Sequence, residues 1–183
     1  MFVLGVDPGL SRCGYGLVAS GDRPGALPAG RGGLHALAAG VIETDVAAPL
    51  PTRLRVLRDE LHTLLEEHRP DVVVVERVFF QVNARTAMSV GQASGLALAE
   101  AAASGCAVVQ YTANEVKQAL VGYGAATKGQ VQRMVAAVLG LAAVPRPPDV
   151  ADALALAVCH LSSVPLRRAV AAAEAGRVTG GRT

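Results

Sequence analysis

Two unbroken apolar runs in this chain end on a carboxylate: Phe2 to Val6 leads into Asp7, and Val72 to Val75 leads into Glu76. Continuous apolar runs rich in β-branched residues, without polar alternation, are the pattern of strands covered on both faces. Each acid therefore falls where a strand leaves its sheet, and two such ends can share one crevice.

The pattern around these runs predicts the remaining elements. A Pro8-Gly9 turn follows the first strand, and strands over Gly14 to Ala19 and Leu34 to Thr44 complete an antiparallel meander. Between them, Gly21 to Gly33 holds five glycines and two prolines without periodicity, a composition suited to a mobile surface loop. Arg53 to His68 places Leu54, Leu57, Leu61, Leu64 and Leu65 at helical spacing with Arg, Asp and Glu opposite, an amphipathic covering helix. The strand ending at Glu76 follows at once, so this helix is a crossover between parallel strands and the sheet is mixed.

Asn83 is a candidate cap for a long helix to about Ser104, with Gly91 and Gly95 on one face and open to close packing by another helix. Arg85, Ser89, Gln92, Ser94 and Glu100 interrupt it, so it is no membrane span. A fifth strand is expected over Ala107 to Tyr111, and helices over Thr112 to Val121, Lys128 to Leu139 and Pro148 to Ser163. The prediction is an α/β fold: three antiparallel strands, then parallel additions, in a five-stranded mixed sheet flanked by helices. Residues 1–163 form one domain. Residues 164–183 form a tail expected to be disordered and basic, with four arginines and one glutamate from Pro165 onward and weak attraction to DNA.

Composition changes this picture little. A chain of 183 residues with 51% hydrophobic and 17% charged residues can bury one sizeable core without disulfides. Cys13, Cys106 and Cys159 are far apart and form no CxxC pair, and no secretory n-region precedes Phe2; these features predict reduced, buried thiols in a cytoplasmic protein. The net charge of +2 does not announce a nucleic-acid partner by itself, because basic residues are often gathered on one face. Only two lysines are present in a chain otherwise rich in arginine, Lys117 and Lys128.

The chemistry rests on four acids. Asp149 and Asp152 lie just inside a helix start marked by Pro145, Pro147 and Pro148, and their spacing of three puts them on one helical face. The same pair also reads as helix capping favoured by the dipole, Asp7-Pro8-Gly9 as a turn, and Glu76 beside Arg77 as an exposed strand end. As a set, four neighbouring carboxylates repel one another, and hard divalent cations with oxygen ligands are the usual remedy. Without a Cys/His ligand pattern, Mg²⁺ or Mn²⁺ is expected rather than Zn²⁺. Two such ions about 4 Å apart suit cleavage of a phosphodiester.

The blocks GVDPGLSRCGYG, VVVVERVFFQVNARTAMSVGQASG, EVKQALVGYGAATKGQVQRMV and DVADALALAVCH, in this order, closely resemble the RuvC Holliday junction resolvases. The resemblance covers Met1 to about Ser163. It implies an RNase H-like fold, a homodimer, and a divalent-metal endonuclease that cuts two opposed strands of a four-way DNA junction in recombination and repair, leaving ligatable nicks. It also implies partnership with the RuvA-RuvB branch-migration complex.

By motif, Asp7 and Glu76 match that family's first and second catalytic acids, and Asp149 and Asp152 the closing pair, with all four as metal ligands. Lys117 in EVKQ and Lys128 in ATKGQ match basic residues near DNA and the active site. Phe79 matches an aromatic that stacks on bases at the junction centre, where stacking stabilises unpaired bases by about 1 to 3 kcal/mol each; Phe80 reads as a core residue. Arg77, Arg85 and Tyr123 are candidate phosphate contacts, although such residues are more often plain surface positions. His35, His62, His68 and His160 share no ligand spacing. Two departures stand out: the Gly21 to Gly33 loop is long for the family, and Ser94 stands where some members have arginine, which argues against a DNA contact there.

A C₂ dimer would present two identical sites matching the approximate two-fold symmetry of a four-way junction, and the Gly91/Gly95 helix is the candidate interface. Two other classes compete. GVDPGLSRCGYG also resembles the first phosphate loop of actin-like and sugar-kinase ATPases, which duplicate the domain whereas this sequence holds one copy. A catalytically silent junction-binding protein would keep the basic residues and aromatics without needing four acids.

Overall fold

In the computed structural model the described backbone covers residues 1–21, 33–77 and 84–179, and the described side chains residues 1–21, 33–77 and 87–163. The elements run β1 (Phe2–Asp7), β2 (Arg12–Ser20), β3 (Leu34–Glu43), α1 (Leu50–His68), β4 (Val72–Glu76), α2 (Ala84–Ala103), β5 (Ala107–Tyr111), α3 (Ala113–Val121), α4 (Lys128–Val138) and α5 (Pro148–Thr179).

The five strands form one sheet in the order β3-β2-β1-β4-β5. β1 pairs antiparallel with β2, and β2 with β3, while β4 and β5 add in parallel on the other side of β1. This is the mixed sheet expected from the patterning. The apolar runs are buried because both faces are covered: Val3, Val72 and Val74 pack under α3, α4 and α5, and Leu4, Val6, Val73 and Val75 under α1 and α2. Alternation along each strand divides the same run between the two cores.

α1 buries Leu57, Leu61 and Leu65, as its periodicity predicts. It begins at Leu50 rather than Arg53, since Pro51 in the first turn needs no N–H partner. α3 and α4 each open on a reciprocal capping box, Thr112 with Glu115 and Thr127 with Gln130.

The helix from Pro148 differs most from expectation. Its backbone continues past Ser163 to Thr179, through the segment expected to be disordered. Ala169, Ala171, Ala172, Ala173 and Ala175 have the strongest helix propensity of any residue type, which outweighs the missing apolar periodicity. The expected loop between β2 and β3 falls on residues 22–32, outside the described set, as do Asn83 and residues 180–183.

Glycines decide how α5 sits. Gly5 and Gly16 face each other in the β1–β2 register, and Gly14 faces Asp7. A Cβ on Gly5 would lie 2.0 Å from the Ala153 carbonyl oxygen, and one on Gly16 2.8 Å from Leu154 side-chain atoms. The strands thus offer a smooth strip on which the helix backbone rests directly.

Candidate active site

The β1–β4 register pairs Val6 with Val75, so Asp7 and Glu76 leave adjacent parallel strands side by side. α5 resting on the glycine strip brings its first turn to the same edge. A cleft of about 340 Å³ opens there, with Asp7, Glu76, Asp152, Lys117 and Lys128 in its walls and Val116, Val131 and Leu156 among its apolar lining. The structure therefore gathers three of the four expected acids and both lysines in one cavity. Asp149 lies beside it, close enough for its charge to act on Asp7.

The electrostatics are those of a crowded anionic site. Burial, followed by the charges of Glu76, Asp152 and Asp149, pushes the Asp7 carboxyl up to about 7, with Lys128 opposing. Glu76 is also raised, first by burial and then by Asp152, while a hydrogen bond with Asp7 and the charge of Lys128 pull the other way. Two buried carboxyls in hydrogen-bond contact share a proton more readily than they carry two charges.

The two acids of α5 meet cations from other elements. Asp152 is ion-paired with Lys128 at the start of α4. Burial disfavours the charged form of Lys128, but the hydrogen bond and charge of Asp152, with Asp7 and Asp149 behind it, outweigh this and raise its pKa. Asp149 pairs with Arg12 Nε at 3.3 Å, and Arg12 also reaches Glu43 at 3.4 Å. Helix capping is therefore not a complete account of the Asp149/Asp152 pair.

Among the described residues, no three acidic, histidine or cysteine side chains are drawn closely enough to cage an ion as they stand. The all-carboxylate donor set and the raised pKa values of the crowded strand-end acids nevertheless fit a hard divalent cation in kind. Backbone packing assembles the cluster; the side-chain orientations of the α5 acids follow Arg12 and Lys128.

The other candidates divide. Arg77 is exposed, and its backbone N–H donates to the Tyr111 carbonyl. Tyr123 is exposed, accepts a hydrogen bond from Gln130 Nε2 at 2.8 Å, and is not part of the cleft wall. Phe79, Phe80 and the Arg85 side chain lie outside the described residues. Ser94 is buried, which agrees with the doubt over a DNA contact there. Cys13 and Cys159 are buried thiols, whereas Cys106 is only half-buried; burial pushes the Cys13 thiol up to about 12. His160 is buried against Tyr111, with Nδ1 3.1 Å from the phenol oxygen.

Sequence reasoning passed over two parts of this region. Arg12 sits inside the GVDPGLSRCGYG block, where nothing in the local pattern marks it as a partner of a distant acid. The second is a polar staple under the Asp7 turn: Thr44 Oγ1 donates to the Leu10 carbonyl, while Arg53 donates to Thr44 Oγ1 at 3.0 Å and to Ser11 Oγ at 2.6 Å. An isolated threonine after a strand carries no signal of such a role. The glycines at 14 and 16 did carry one, since glycine at alternate strand positions marks close backbone approach.

The family model described as crossover junction endodeoxyribonuclease RuvC matches residues 3–160. The chain belongs to the RuvC family. That match spans all four acids and both lysines, which the phosphate-loop resemblance of the first block alone does not account for. A RuvC from Syntrophomonas wolfei is 48% identical over 163 residues, covering 89% of this chain and 90% of that protein. One from Salinispora arenicola is 48% identical over the full length of both chains. Among solved structures, Thermus thermophilus RuvC in complex with a Holliday junction substrate superposes with a TM-score of 0.81 at 36% identity, covering 91% of this chain and 96% of that one. The yeast mitochondrial Holliday junction resolvase shares the fold, with a TM-score of 0.62 at 14% identity over 87% of this chain and 77% of that one. The expected RNase H-like architecture is thus that of the RuvC structures, and nucleases of this family are metal-dependent. No helix among the described residues is long and apolar enough to cross a membrane.

Proposed function

We infer that this RuvC family member is a structure-specific endonuclease that resolves four-way DNA junctions by paired phosphodiester hydrolysis. The observation that carries this reading is the single cleft walled by Asp7, Glu76 and Asp152 together with Lys117 and Lys128. An anionic floor beside two cations suits a phosphate backbone approached through divalent metal.

Asp7, Glu76, Asp149 and Asp152 would hold Mg²⁺ or Mn²⁺, two ions per site being the expectation. Such ions supply Lewis-acid polarisation of the scissile phosphate and neutralise developing charge. The chain's own groups supply the rest. Lys117 and Lys128 would attract and align phosphates, and because the pKa values of Asp7 and Glu76 are raised, a cation held there would compete with protonation of these acids. Phe79 is the proposed stacking residue at the junction centre, with Arg77, Arg85 and Tyr123 as proposed outer phosphate contacts.

The active form is a homodimer in the cytoplasm, working with RuvA-RuvB. The supporting physical argument is symmetry: two identical sites related by one two-fold axis make symmetric incisions in a two-fold junction. An immobile synthetic junction incubated with Mg²⁺ or Mn²⁺ tests the reading. Symmetric nicks are expected, lost in Asp7→Asn and Glu76→Gln while junction binding survives, since removing negative charge does not weaken phosphate attraction. A complex formed without nicks by the unaltered protein would favour a silent junction binder.

A further inference from the structure

Arg12 stands outside the cleft yet joins acids from two other elements: from the start of β2 it reaches Glu43 at the end of β3 and Asp149 in the first turn of α5. We propose that Arg12, anchored by Glu43, is a positioning residue that holds the Asp149 carboxylate ready for divalent metal. This rests on the reading of Asp149 as a metal ligand.

Three observations point the same way. First, the backbone at Asp149 is already fixed, because Gly14 lets its carbonyl rest directly on β2. Only the side-chain torsions remain to be set, and an Arg12 contact on Oδ2 restrains them while leaving the second carboxylate oxygen for another partner. Secondly, Arg12 is itself held. Thr44, next to Glu43, donates to the Leu10 carbonyl, its backbone N–H donates to the Ser11 carbonyl, and Arg53 bridges Thr44 and Ser11. The backbone next to Arg12 and next to Glu43 is thus braced from α1. Thirdly, the pair is too exposed to contribute much to stability, with Arg12 and Asp149 side chains 45% and 30% accessible. A planar guanidinium engaging two carboxylates through separate nitrogens suits orientation better than it suits stabilisation.

The general physics is that of outer-sphere support. A carboxylate whose rotamer is set before the ion arrives loses less freedom on binding, and removing such a partner typically weakens metal affinity by about 10- to 100-fold. Simple Coulomb reasoning gives the opposite sign, because deleting a positive charge near four carboxylates should tighten a cation. The sign of the effect therefore separates positioning from mere charge compensation.

The test is calorimetric titration of Mn²⁺ into the metal-free full-length protein, paired with single-turnover cleavage of a synthetic junction over a Mn²⁺ series. Arg12→Ala is expected to weaken Mn²⁺ binding by about 10-fold or more and to shift cleavage to higher Mn²⁺, with the rate substantially recovered at saturation. Arg12→Lys should recover part of the affinity, and Glu43→Gln should weaken it less than Arg12→Ala. Arg55→Ala, which removes an exposed arginine paired on α1, controls for net charge and should change nothing. Unchanged or tighter Mn²⁺ binding in a folded Arg12→Ala protein overturns the proposal. Should Arg12→Ala fail to fold, Glu43→Gln alone decides, with unaltered affinity counting against. If Asp149→Asn leaves Mn²⁺ binding of the otherwise unaltered protein intact, the ligand reading itself fails, independently of Arg12.

Discussion

A Cβ placed on Gly14 would stand 2.2 Å from the carbonyl oxygen of Asp149 and 2.7 Å from its carbonyl carbon. Gly14 is also the register partner of Asp7. One missing side chain therefore sets the separation between an acid of β1 and an acid of α5. Gly14→Ala must push the start of α5 off the sheet, at a cost of about 1 to 3 kcal/mol in stability. Because misplacement of about 1 Å can slow a reaction roughly 100-fold, junction cleavage should fall by about that factor in protein that is still folded. Urea unfolding and single-turnover cleavage measure the two effects separately, and near-normal cleavage would contradict this account of the glycine strip.

The raised Asp7 carboxyl predicts an unusual pH dependence for the metal-free protein. Between the ordinary carboxylate value and about 7, the folded state holds a proton that the unfolded chain has lost. Stability then falls as pH rises through this window, by up to about 1.4 kcal/mol per pH unit, and the penalty is complete above it. Thermal midpoints in chelator should decline from pH 5 to pH 8, and Asp7→Asn should flatten the decline. Added Mn²⁺ should restore stability most at the alkaline end and release protons as it binds, seen as a buffer-dependent calorimetric heat.

Thr44→Val tests the staple beneath the Asp7 turn. The substitution preserves shape but removes the donor to the Leu10 carbonyl and the acceptor for Arg53. Thr44 is buried, so the groups left behind should lower stability by about 1 to 3 kcal/mol. Chemical denaturation should register this as a shift in midpoint with an unchanged slope. A loss below a few tenths of a kcal/mol would mean that water replaces the hydroxyl fully.

The exposed face of α2 is the place to test dimerisation. Met88 is 67% exposed, with Gly91 and Gly95 three and seven residues further along the same helical face. A Cβ on Gly95 would meet nothing within 4 Å in this chain, so the residue is small without any need of its own protomer. Met88→Glu and Gly95→Leu should each shift sedimentation toward monomer and replace paired nicks by uncoordinated single ones. A monomer that still cuts in pairs would exclude this face and the symmetry argument with it.

The apolar runs determined a good deal by themselves. Phe2 to Val6 and Val72 to Val75 required cover on both faces, Leu57, Leu61 and Leu65 required a helix against that sheet, and the acids at 7 and 76 had to lie at strand ends. These are local consequences of burial and of periods of 2 and 3.6, which a sequence carries openly. The alanine-rich end of α5 was also local, but its propensity counted for more than its missing periodicity suggested.

What only the tertiary structure decided is how residues far apart in the chain meet. The parallel register places Glu76 beside Asp7, and the strip of Gly5, Gly14 and Gly16 lowers α5 until Asp152 enters the cleft and Asp149 flanks it. The partners Arg12 and Lys128 then fix which way those last two carboxylates turn. Side-chain orientation depends on contacts among elements up to 137 residues apart, from Arg12 to Asp149, and no local period encodes it.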